Sequence, residues 1–149
     1  MAFKFNLEAV MKHRKRLEEF AQREFAEAQA AVDVLLQRIE DMYTRSDEVR
    51  DEIQAAQADG SFQKIQEVRE MEHFLGGHKI RIEALRLEAR QLLQIAEEKQ
   101  EALIEAAREK KILVKLREKK LNEYREWLRQ METKELDDLT MTRRAWGKT

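Results

Sequence analysis

The sequence predicts an all-α protein, an antiparallel two-helix coiled-coil hairpin with unequal arms. Three observations carry that expectation. The chain holds no proline, and between Ala2 and Leu139 only three glycines. Its apolar residues recur every three or four positions, the spacing of one helix face. Charged residues make up 40% of the chain and aromatic residues only 7%, the composition of long solvated helices rather than of a layered domain. Proline breaks a helix interior and glycine costs it about 1 kcal/mol relative to alanine, so avoiding both favours unbroken helices.

The first helix is expected over about 6–57. Its seam reads Leu7 and Met11, passes Arg14 and Glu18, and continues as the heptad series Ala21, Phe25, Ala28, Val32, Leu35, Ile39 and Met42, then Val49 and Ile53. A 3.5-residue repeat kept over many turns implies a partner helix and a left-handed supercoil.

Two places could end this helix, Ala58-Asp59-Gly60-Ser61 and Gly76-Gly77. Gly60 can adopt the positive φ that closes a helix, and Ser61 can cap the next one. Register separates the two. A turn at 58–61 makes facing positions add to about 120, and sets Val49 against Met71, Leu35 against Leu85, Ala28 against Leu92 and Leu7 against Leu113. A turn at the glycine pair sets Leu35 against Glu118 and Ile53 against Gln100. The first turn is therefore expected.

The second helix then runs over about 62–140, with a seam of Val68, Met71, Leu75, Ile82, Leu85, Ala89, Leu92, Ala96, Leu103, Ala106 and Leu113. Ser46, His78 and Lys99 interrupt the seam and are expected to set register or fray it locally. Gly76-Gly77 falls inside this helix and is expected to soften or kink it. At 1.5 Å per residue the arms come to roughly 80 and 120 Å, so beyond Leu116 the second helix has no intrachain partner on this reading. It nevertheless stays amphipathic through Leu121, Tyr124, Leu128, Met131, Leu136 and Leu139, with Trp127 alongside. An apolar stripe on a lone helix needs cover, which predicts a partner protein there. Residues 141–149 lack periodicity and are expected to fray. The whole chain, 1–149, reads as one hairpin domain.

A net charge of −1 conceals segregation: +4 over residues 1–16, −8 over 17–59 and +5 over 107–120. The hairpin register brings Lys12, Arg14, Lys15 and Arg16 to the same end as Lys110, Lys111 and Lys115, which makes that end a basic docking surface. With no cysteine, disulfides, thiolate metal sites and a cysteine nucleophile are excluded, and the composition suits a reducing cytoplasm. The opening residues contain no signal-peptide core and no run is long enough to span a bilayer.

Catalytic and ligand chemistry finds no footing. Glu72, His73 and His78 look suggestive, but a five-residue spacing turns two helical side chains well apart, where zinc helices use i and i+4. No glycine-rich loop follows a strand, and no catalytic triad can converge without a cleft. No enzyme activity, metal or cofactor is expected. The basic run Lys12-His13-Arg14-Lys15-Arg16 does not make a nucleic-acid binder, since basic-region readers are parallel dimers and neighbouring acids dilute the field. Phe3, Phe5, Leu7 and Val10 with Lys4 and Lys12 offer a weak membrane-surface alternative, without insertion.

Both ends carry a resemblance. The opening Phe3-Lys4-Phe5-Asn6-Leu7-Glu8-Ala9-Val10-Met11-Lys12-His13-Arg14-Lys15 is similar to the aromatic-basic-aromatic start, Leu-Glu pair and basic run of the FliJ family, coiled-coil proteins of the flagellar type III export apparatus. The acidic close Glu132-Thr133-Lys134-Glu135-Leu136-Asp137-Asp138 resembles that family's ending. The resemblance implies a stalk that enters the hexameric ring of the export ATPase and promotes its assembly. It also implies contact with the membrane export gate protein, escort of export chaperones, and a cytoplasmic place peripheral to the inner membrane. On this chain the ATPase end would comprise Lys12, Arg14, Lys15, Arg16, Lys110, Lys111, Lys115, Leu121, Tyr124, Trp127, Leu128 and Met131. The gate face would comprise Met42, Val49 and Phe74. A tether or scaffold subunit of another complex is the alternative.

Overall fold

A computed structural model describes residues 2–147 and contains two helices, α1 (Glu8–Asp59, 52 residues) and α2 (Phe62–Gly147, 86 residues). They pack against each other as an all-α hairpin. The connection is the expected one. Gly60 has φ 72°, a conformation open to glycine without strain. Ser61 caps α2: its hydroxyl accepts from the Lys64 N–H at 3.3 Å, and its carbonyl accepts from the Ile65 N–H at 3.0 Å.

Packing divides the chain into two compact units. One comprises Phe20–Leu103, the other the residues up to Glu19 with those from Ile104 onward. In the first, α1 buries Ala21, Val32, Leu35, Ile39, Ser46, Val49 and Ala56, and α2 buries His78, Ile82, Ala89 and Ala96. These are heptad positions. Large residues of α1 lie among the alanines of α2: Leu35 and Ile39 form one cluster with Ile82 and Ala89, against which Met42, Leu85 and Leu92 pack. Val32 is 0% exposed and Val49 2%.

The polar interruptions are absorbed without breaking either helix. Ser46 and His78 are buried in the seam. His78 Nε2 lies 3.0 Å from the Met42 carbonyl oxygen, while its Nδ1 is buried without a hydrogen-bond partner. Lys99 reaches across to Glu24 at 2.6 Å. The Met42–His78 pair falls on the register expected from the turn, and Glu24–Lys99 lies close to it.

Gly76 and Gly77 sit in unbroken helix, and a Cβ at either would meet nothing within 4 Å. No close approach calls for glycine at these positions. Alanine at both is expected to stabilise the protein by about 1–2 kcal/mol in total, read as a higher midpoint in urea. An unchanged or lower midpoint would contradict a merely permissive role.

Two boundary expectations need correction. The last residues were expected to fray from 141, yet α2 continues through Gly147; of the residues from 141 on, Lys148 and Thr149 lie outside the described ones. Nothing in 141–146 interrupts a helix, and the Thr140 and Thr142 hydroxyls donate back to the Leu136 and Asp138 carbonyls, both at 2.8 Å. The start of the chain is the other. α1 begins at Glu8 rather than near residue 6, and residues 2–5 have no helical structure.

Candidate partner-binding surfaces

In the terminal unit, three ion pairs join the helices: Arg14 with Glu109, Lys110 with Glu18 at 3.2 Å, and Arg117 with Glu8 at 3.2 Å. All six side chains remain partly exposed, so each pair contributes only a fraction of a kcal/mol to about 1 kcal/mol and weakens with salt. Apolar cover here is thin. Leu7, Met11, Leu113, Val114 and Leu116 are half-buried, and among the described hydrophobic residues of this unit only Phe5 is buried.

Phe5 belongs to a feature that helical periodicity does not disclose. Phe3 packs on Tyr124 with ring centroids 5.6 Å apart, the Arg117 guanidinium lies 5.9 Å from the Phe3 centroid, and Tyr124 stacks on Trp127 at 6.0 Å. The expectation that α2 lacks an intrachain partner beyond Leu116 is therefore corrected: the segment before α1 packs on it at Arg117 and Tyr124. Leu121, Tyr124 and Leu128 are half-buried. The physical reason is reach. Extended chain advances about 3.3 Å per residue against 1.5 Å in a helix, so a few residues before α1 span roughly twice as many of α2. Alternation in Phe3-Lys4-Phe5-Asn6-Leu7, apolar at every second residue, is the sequence signal for such a segment. With Phe5 buried and Phe3 stacked, these rings do not form the free membrane-facing set considered above.

Past Leu128 every described residue is exposed. Met131, Leu136, Leu139 and Met141 are exposed, the last three at 64%, 58% and 68%. Of the basic residues, Arg14 and Lys110 are committed to carboxylates, whereas Lys12, Lys15, Arg16, Lys111 and Lys115 are exposed and form no ion pair among the described residues. The terminal unit thus presents uncommitted cations together with an uncovered helical stripe.

The three residues assigned to the gate face are placed differently from one another. Val49 is buried, Met42 is half-buried against the core, and Phe74 is 38% exposed. Arg45 lies 6.0 Å from the Phe74 centroid, and the His78 ring lies 4.9 Å away. Phe74 borders an open groove with Arg45, Glu52, Lys64 and Met71 near the turn. Sequence reasoning missed Arg45 and His78 as the neighbours that hold Phe74, because heptad patterning ranks burial and not flank contacts.

Lys99 has a shifted titration. The Glu24 carboxylate, first by its hydrogen bond and then by its charge, holds the Lys99 ammonium above the ordinary lysine value of 10.5; partial desolvation opposes it and Glu98 adds slightly. A cation stabilised in the fold contributes fully at pH below its unfolded value, and the contribution disappears as pH rises through the folded value. The stability difference between the wild type and Lys99→Met is expected to stay constant up to about 10.5 and shrink above it, measured by urea titration at stepped pH. A difference that grew with pH would contradict the pairing.

Among the described residues, no group of three or more His, Asp or Glu could hold a metal ion, and no helix is long and apolar enough to cross a membrane. His78 is turned into the seam and His73 is exposed. The fold defines an all-α protein, a hairpin of two long packed helices. Residues 3–148 match the family model of the flagellar FliJ protein, and the chain belongs to the FliJ family, non-enzymatic components of the flagellar export apparatus. No curated protein and no solved structure matches the chain.

Proposed function

We propose that the protein is a stalk of the export ATPase, acting by contact alone, and that the terminal unit is the part that engages the ATPase hexamer. Family membership over residues 3–148 carries this reading. The terminal unit supports it, since it offers Lys12, Lys15, Arg16, Lys111 and Lys115 as exposed cations, with Arg14 and Lys110 bridged to acids beside them. Trp127 and Met131 offer apolar surface next to Leu121, Tyr124 and Leu128. A narrow two-helix body fits a ring pore, and an apolar stripe can pack on its lining.

The same reading gives the protein a second contact, with the membrane export gate protein, through exposed Phe74, with half-buried Met42 and buried Val49 the other residues of that face. Escort of export chaperones and a cytoplasmic place peripheral to the inner membrane complete it. The test is catalytic stimulation: full-length protein added to the purified export ATPase is expected to raise ATP turnover, and a chain ending at Gln130 is not. Absence of stimulation by the full-length protein would refute the stalk reading and favour a scaffold role elsewhere.

A further inference from the structure

Beyond Leu128 the end of α2 carries a heptad pattern of its own. Arg129, Glu132, Leu136, Leu139, Arg143 and Trp146 follow one another at alternating spacings of three and four, the seam positions of a two-stranded coiled coil, and so share one helix face. All six are exposed, Leu136, Leu139 and Trp146 at 64%, 58% and 78%. The face is apolar in the middle, acidic on one side at Glu132 and basic on the other at Arg143. Glu132 and Arg143 form no ion pair among the described residues, and Arg129 pairs with Glu126 on its own helix at 3.8 Å. Lys134, Asp137 and Asp138 fall on the opposite side of the helix by the same spacing.

We propose that in the free protein this face binds the same face of a second copy, the two helices running antiparallel about a two-fold axis at the level of Asp137 and Asp138. Facing positions then add to about 275, and every layer joins complementary residues: Leu136 with Leu139, Glu132 with Arg143, and the Arg129 guanidinium with the Trp146 ring, each contact made twice. The flanking positions bring no like charges together, since Thr133 falls beside Thr140 and Glu135 beside Thr142. A parallel pair would instead set Arg129 on Arg129, Glu132 on Glu132 and Arg143 on Arg143, so charge selects the antiparallel one. The change of sign across the two leucines makes the face complementary to itself, and this identifies the occupant as another copy of the chain. The overlap stops short of Tyr124, so Phe3 keeps its place on that ring. With one apolar layer made twice and exposed ion pairs around it, the dimer is weak and forms at high concentration. It is a state of the chain alone, so its test is separate from that of the stalk reading.

Sedimentation equilibrium of the full chain, from micromolar to near-millimolar concentration, tests this. A monomer–dimer equilibrium is expected, weakened about tenfold or more by Glu132→Arg or by Arg143→Glu alone and restored to within about threefold by the double reversal. Leu139→Asp is expected to abolish it while the urea midpoint stays that of the wild type, because Leu139 is exposed in the monomer. A wild type that remains monomeric, a double reversal that remains as weak as the single ones, or an unaffected Leu139→Asp would each overturn the proposal. The chain has no cysteine, so a spin label at Asn122→Cys reads the orientation. Labels about 45–50 Å apart, twice the helical rise between residue 122 and the axis, support the antiparallel pair, whereas a separation of about 20 Å or less would overturn it.

Discussion

Val32→Asp is expected to destabilise the Phe20–Leu103 unit by about 4–5 kcal/mol, close to the whole stability of a small domain. Val32 is fully buried in the same seam that carries the Leu35, Ile39, Ile82 and Ala89 cluster. The substitution removes the burial of a branched side chain and brings in a carboxyl with no partner, which must either stay charged in an apolar seam or take up a proton. Helix ellipticity against urea measures the loss. Valine two positions on is the internal control, because Val34 is 71% exposed and Val34→Asp is expected to move the monomer midpoint by less than about 0.5 kcal/mol. Similar losses at both positions would show that the seam is not where the hairpin places it.

The largest functional effect is expected from the terminal unit. Ending the chain at Gln130 removes exposed Leu136, Leu139 and Met141 but leaves the Phe3–Tyr124 stack and all three interhelical ion pairs of that unit. Stability should therefore change by less than about 0.5 kcal/mol while stimulation of the export ATPase is lost. The cation contribution is separable if the right lysines are chosen. Reversing Lys110 would set a new carboxylate beside Glu18 and confound folding with binding. Lys111 and Lys115 are exposed and unbridged, so Lys111→Glu with Lys115→Glu is the informative pair. Affinity for the ATPase at low salt is expected to fall at least about tenfold, and the difference to shrink as salt rises. A truncated chain that still stimulates, or a double reversal with unaltered low-salt affinity, would move the contact away from this unit.

How much of this was legible in the sequence depends on how local the cause is. The turn was readable at Gly60-Ser61 because a positive φ and a hydroxyl cap are properties of two adjacent residues. The seam was readable from Ala21 to Ala96 because a 3.5-residue repeat and a sum rule for facing positions need no coordinates. Polar residues within the seam were located but not explained: only the structure shows His78 reaching the Met42 carbonyl and Lys99 reaching Glu24. The terminal surfaces were the least legible. Heptad reasoning treats the chain before the first helix as absent, and so it left Leu121, Tyr124 and Leu128 bare, although the alternating Phe3 and Phe5 carry the signal of an extended cover.

The sequence by itself determined the fold class, the turn and the register, since absent prolines, one glycine and the repeat of apolar residues act through backbone sterics and helical geometry alone. Tertiary structure decided which of the flagged residues remain available to a partner. It tied Arg14 and Lys110 to carboxylates and covered Tyr124 with Phe3, while leaving Lys111, Lys115, Phe74 and the stripe beyond Leu128 at the surface. Exposure depends on what lies across the seam and on how far a non-helical segment reaches, and both are set by residues distant in sequence.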